Sequence, residues 1–87
     1  MKQNNYEALW NQIEEHGLPC RIIMLCDLKK TYTGPGVEYI PLWGLRNHGE
    51  PFQLEEIRRG RGMVLWGKLA NGQGWIELNE VTLCDEE

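Results

Sequence analysis

The chain has no long apolar run. Its longest uninterrupted stretch of apolar side chains runs from Ile22 to Cys26, far short of the roughly 20 residues that a bilayer-spanning helix needs. The N-terminal stretch "MKQNNYEALWNQIEEHG" also lacks the apolar segment of about 7–15 residues that drives secretion. Together these absences predict a protein that stays inside the cell that makes it, with no membrane partner. Cysteine is sparse: Cys20, Cys26 and Cys84 form an odd set without a C-x-x-C pair. On one shared strand Cys20 and Cys26 would lie about 20 Å apart, beyond the reach of a disulfide. Buried, reduced thiols are expected, and they suit a reducing compartment.

Metal and catalytic signatures are missing as well. His16 and His48 have no zinc-ligand spacing with the cysteines, so neither a metal nor a cofactor is expected. There is no G-x-S-x-G, no phosphate-cradling loop, no H-E-x-x-H and no Cys–His–Asn arrangement to position a nucleophile or a metal-bound water. Carboxylates are plentiful but carry no spacing that marks an acid–base pair. The chain is therefore expected to bind rather than catalyse. Excess positive charge is lacking too, with a net charge of −4, whereas nucleic-acid binding calls for a basic footprint. The charge is uneven: residues 69–87 sum to −5 and close on an acidic tail, residues 85–87, while residues 21–68 sum to +3.

What is present fits one small domain of 87 residues with 10 glycines, a composition that favours turn-rich β structure over a helical bundle. Tyr6, Leu9, Trp10 and Ile13 recur at helical spacing and predict an N-terminal amphipathic helix. Asn4 or Asn5 would cap its start, and Gly17 followed by Pro19 would end it. The apolar stripe would dock on the rest of the domain or pair two copies in a homodimer; otherwise the protein is a monomer. Beyond the helix, residues 1–19 serve as helix and connector, and 20–84 carry five or six short strands. "CRIIMLCD" reads as the first strand, "LKKTYTGPGVEYIPLWG" is punctuated by Gly34-Pro35-Gly36, and Phe52 to Arg58 alternates apolar and charged residues. "EVTLC" closes the set.

The clearest local signal is "WGKLANGQGWIEL", residues 66–78, with Asn-Gly between two apolar stretches. Both turn residues tolerate positive φ, which marks a hairpin. A four-residue loop from Ala70 to Gln73 would pair Leu69 with Gly74 and Trp66 with Glu77. Alternation then puts Leu69, Ile76 and Leu78 on one face, and Trp66, Lys68, Trp75 and Glu77 on the other. Two large aromatics thus share the charged face, either covered by the helix or the Gly-Pro-Gly loop, or left open as a platform.

Two motifs together resemble the bacterial SH3 (SH3b) domain family. One is Leu28 to Gly36, "LKKTYTGPG", with Tyr39 after it; the other is Trp66-Gly67-Lys68, then Gly74-Trp75-Ile76 and Leu78, with Val81 following. The resemblance spans residues 20–84. It implies a mainly β fold, a small SH3-like antiparallel barrel carrying one added N-terminal α-helix, and a binding role without chemistry. SH3b domains usually target cell-wall peptides outside the cell, often beside a lytic domain. Without a leader or such a domain, the expectation shifts to a protein partner in the bacterial cytoplasm, bound and occluded, as in an inhibitor of a host defence protein from a phage or mobile element. A peptidoglycan peptide is the alternative ligand. Nucleic acid or nucleotide, gripped by the basic turn, is the third.

The candidate binding residues are Tyr32, Tyr39, Trp66, Lys68 and Trp75 on the aromatic face, with Arg58, Arg59 and Arg61 from the Gly-rich basic turn. Trp, Tyr and Arg are the side chains that dominate binding energetics. Of the two tryptophans, Trp75 is expected to matter more to folding and Trp66 more to the partner.

Overall fold

The structure is a computed structural model describing residues 6–84, apart from the side chains of Trp43 and Asn71. The proposed caps Asn4 and Asn5 and the acidic tail lie outside the described residues. Helix α1 covers Tyr6–His16. Gly17 ends it at φ 92° and donates its amide to the Ile13 carbonyl at 2.8 Å, the C-terminal role that its missing Cβ permits.

Seven strands follow: β1 (Cys20–Met24), β2 (Leu28–Tyr32), β3 (Pro41–Arg46), β4 (Phe52–Arg59), β5 (Leu65–Leu69), β6 (Gly74–Glu77) and β7 (Val81–Leu83). They form one sheet in the order β3-β2-β6-β5-β4-β1-β7, and every pairing is antiparallel. The sheet is open, with β3 and β7 as its edges. The protein is thus mainly β with one N-terminal helix.

The strand count exceeds the expected five or six because residues 28–46 form a full hairpin across the Gly-Pro-Gly turn. Its first strand hid in the sequence because its core-facing positions are Lys29 and Thr31, both buried. The buried Lys29 ammonium is satisfied by a hydrogen bond to the Asn79 side chain, as burial of a charge requires. The first strand is also shorter than "CRIIMLCD". It stops at Met24, so Cys26 lies beyond it and the shared-strand argument about Cys20 and Cys26 does not apply. All three cysteines are free thiols, and burial pushes the Cys20 thiol pKa up.

The β5–β6 hairpin has the expected register: Trp66 opposite Glu77, Lys68 opposite Trp75 and Leu69 opposite Gly74. One face of the sheet is aliphatic. Ile22, Leu54, Leu65, Leu69, Ile76 and Leu78 pack there with Cys20, and Ile13 of α1, 0% exposed, seals the cluster. Tyr6, Leu9 and Trp10 flank it. Full burial of one such aliphatic side chain contributes roughly 1.5–3 kcal/mol, so this face dominates the stability of the fold. The helix therefore covers the aliphatic side, and the tryptophan face needs a different cover.

Candidate functional site

On the opposite face, register places Tyr32 beside Trp75, Trp75 beside Lys68, Glu77 beside Trp66, and Trp66 beside Arg58. The two tryptophans differ in their surroundings. Trp66 is 3% exposed, whereas Trp75 is half-buried. The Tyr32 and Trp66 rings meet edge to face, with centroids 5.6 Å apart and planes at 87°, a favoured aromatic geometry.

The backbone of Gly60 lies close against the Trp66 indole. At Gly60, a Cβ would stand 2.7 Å from the Pro35 carbonyl oxygen and 2.9 Å from Trp66 Nε1. Only glycine lets the Gly-Pro-Gly loop, the turn before β5 and the indole come this close. The loop is thus the lid over Trp66. Trp66, the ring expected to matter more to a partner than to folding, belongs to the folded interior of this face, and Trp75 is the more accessible.

Beside the indole lies an open cavity of about 100 Å³. Val37 and Val64 wall it with Trp66, and Glu38, Arg61 and Glu77 form its charged rim. Glu77 accepts a hydrogen bond from the Tyr6 hydroxyl at 2.9 Å, which ties the start of α1 to this rim. The carboxylate of Glu38 folds back over Gly36.

The three arginines of the basic turn do not share a surface. Arg58 is ion-paired with Glu56 on the tryptophan face. Arg59 points to the other face, its guanidinium 4.7 Å from the Trp10 ring centroid and 3.4 Å from Glu7. Arg61 sits on the cavity rim, inside a turn where Gly62 and Met63 both take positive φ, 68° and 65°. Lys68 is half-buried with Nζ 3.9 Å from Glu55. The Tyr39 ring, 43% exposed, lies across Gly34.

Sequence reasoning overlooked the exposed apolar side chains, of which Val37 lines this cavity. Val37 and Ile40 are each 68% exposed and Met63 is 63% exposed, and Leu42 is also exposed. A left-handed backbone is uncommon for a residue as large as Met63, and here it holds an apolar side chain out to solvent. The readable signal was three aliphatic residues, Val37, Ile40 and Leu42, in a segment whose neighbours are turn formers. Among the described residues no group of three or more His, Cys, Asp or Glu is placed to hold a metal. No helix there is long and apolar enough to cross a membrane. Comparison with protein-family models, curated proteins and solved structures finds no match.

Proposed function

We propose that the protein is a non-enzymatic binding module, SH3-like in build, that works by occupying a surface of another protein. One observation carries the reading: Val37, Tyr39 and Ile40 stay exposed in the loop between β2 and β3, with Leu42 exposed in β3, and Val37 lines the cavity next to Trp66. Apolar side chains gathered at a surface mark interaction sites more often than chance, and loops on a rigid scaffold are where recognition concentrates. The β-sheet supplies that scaffold, and the buried Trp66 fixes the loop in place.

Two features favour protein over nucleic acid as the ligand. Arg58 and Arg59 are engaged by Glu56, Glu7 and Trp10, and they point to opposite faces of the sheet. The loop itself offers apolar contact area, which phosphates do not use. Occlusion of a partner inside a bacterial cell, as by an inhibitor of a defence protein, is the form of this reading that suits a module without chemistry.

Affinity capture from a bacterial lysate tests it, with wild type and Val37→Ser/Ile40→Ser run side by side. The expected result is a partner retained at stoichiometric level by wild type and lost with the variant. Equal capture by both proteins would remove this loop from the binding surface.

A further inference from the structure

A second surface lies at β7, the edge of the sheet opposite β3. The ladder between β7 and β1 shows which backbone groups are left over. The Cys84 amide donates to the Arg21 carbonyl at 2.8 Å and the Leu25 amide to the Glu80 carbonyl at 2.7 Å, with Thr82 opposite Ile23 between them. Antiparallel pairs alternate between bonded and unbonded, so the N–H and C=O groups of Val81 and Leu83 turn outward, away from β1. Such a row of free edge groups can pair with one more strand. We propose that β7 takes an extended, basic segment of a partner protein as an added strand, laid in the groove between β7 and α1.

The groove is open and holds about 390 Å³; Gln12, Glu15 and His16 of α1 form one wall, and Thr82 and Leu83 form the other. The three helix residues fall at i, i+3 and i+4, on one face, and all three are exposed. A strand paired with β7 would turn alternate side chains toward that face. Strand addition of this kind draws affinity from main-chain hydrogen bonds and specificity from the alternate side chains.

Charge decides the occupant. Glu15 stands in the groove and Glu80 at the start of β7, and neither has an ion-pair partner among the described residues. Asp85, Glu86 and Glu87 follow Cys84 in the chain. Against these carboxylates, Arg21 is the one Lys or Arg in α1, β1 and β7. It is exposed, while its neighbours Cys20 and Ile22 turn to the core face that α1 covers, so alternation points it away from the helix. His16 donates Nδ1–H to the Gly17 carbonyl at 2.9 Å, a bond that the neutral ring makes. An acidic groove favours lysine and arginine on the incoming strand. Pairing β7 with β7 of a second copy would run two acidic segments, residues 80–87, along each other, and like charges side by side disfavour it.

The test titrates three capped peptides into the whole ¹⁵N-labelled chain at low ionic strength. The first is acetyl-Gly-Lys-Val-Lys-Val-Lys-Gly-amide. The second replaces every Lys by Glu, and the third carries an N-methyl group on every Lys and Val, which removes its N–H donors. The lysine peptide should shift the backbone amide resonances of Val81 and Leu83 and slow their hydrogen exchange. The glutamate and N-methyl versions should each bind at least about tenfold more weakly. Glu15→Lys, at an exposed position, should narrow the preference for lysine over glutamate at least about threefold. Val37→Ser/Ile40→Ser should bind the lysine peptide as wild type does. A glutamate peptide that binds equally well would overturn the basic occupant, and an N-methyl peptide that does so would overturn strand addition. Amides of Val81 and Leu83 that no peptide moves would overturn the site. So would amides already protected in the free protein, through a second copy if sedimentation shows a dimer and through the chain's own terminus if it shows a monomer. Loss of the lysine peptide in Val37→Ser/Ile40→Ser would move the contact to the loop and overturn the assignment to β7.

Discussion

The two faces of the sheet are built on different terms. The aliphatic face is closed by the chain's own helix, which drops Ile13 into a cluster where Leu54, Leu69 and Ile76 are 0% exposed. The tryptophan face is closed by backbone, the Gly-Pro-Gly loop and Gly60, and only over Trp66. The same loop leaves Val37 and Ile40 in solvent, and Leu42 of β3 is exposed too. One face spends its apolar residues on the fold. The other buries a single large ring and holds the rest outward, as a surface made for contact would.

The largest effect should come from the one residue where the second face behaves like the first. Trp66→Ala should cost about 3–5 kcal/mol in urea unfolding, as large as the roughly 2–5 kcal/mol expected for Leu69→Ala on the aliphatic side. Trp75→Ala, at a half-buried ring, should cost clearly less. If Trp75→Ala proves the more damaging, the loop is not the cover that the Gly60 contacts describe.

Next in size is the lid. Gly60→Ala would force a methyl group against the Pro35 carbonyl and the indole, and overpacking of this kind costs typically 1–3 kcal/mol. The Tm should fall and the Trp66 fluorescence should move toward that of a solvated indole. An unchanged melting curve would show that loop and turn separate easily.

On the helix side, Arg59→Ala removes the cation over Trp10 and the contact with Glu7. The cation–π contact is worth about 0.5–1 kcal/mol at an accessible site, and the Glu7 pair, with Glu7 well exposed, adds little. Unfolding should register a loss of that order.

A fourth effect is confined to alkaline solution. Burial raises the Cys20 thiol pKa, so the folded state favours the neutral thiol. Its contribution is complete below the ordinary thiol pKa and is lost as the pH rises through the raised value. Wild type should therefore lose more stability between neutral and alkaline pH than Cys20→Val, measured by urea unfolding at each pH. Equal losses would mean that the thiol is solvated.

The sequence disclosed the aliphatic face far better than the other. Tyr6, Leu9, Trp10 and Ile13 at helical spacing, and Asn71-Gly72 between alternating strands, are periodic signals that local sterics enforce, and the helix and the β5–β6 register follow them. β2 was obscured because Lys29 and Thr31 occupy its inward positions, where a hydrogen bond to Asn79 replaces apolar burial for the lysine. The cover over Trp66 could not be read at all, since Pro35 and Gly60 meet it from turns 25 residues apart, a juxtaposition set by tertiary packing. For the same reason Arg58, Arg59 and Arg61 looked like one basic patch, although alternation along β4 sends the first two to opposite faces.

The smallest expected change in stability tests the central contrast most directly. Val37→Ser/Ile40→Ser alters two side chains that are mostly in water, where substitutions usually shift stability by no more than about 0.5 kcal/mol. Urea unfolding of this variant beside Leu69→Ala should leave its midpoint at the wild-type value while Leu69→Ala falls by about 2–5 kcal/mol. A loss in the double variant comparable to Leu69→Ala would contradict the account, for the loop would then be part of the core and not a surface held open for a partner.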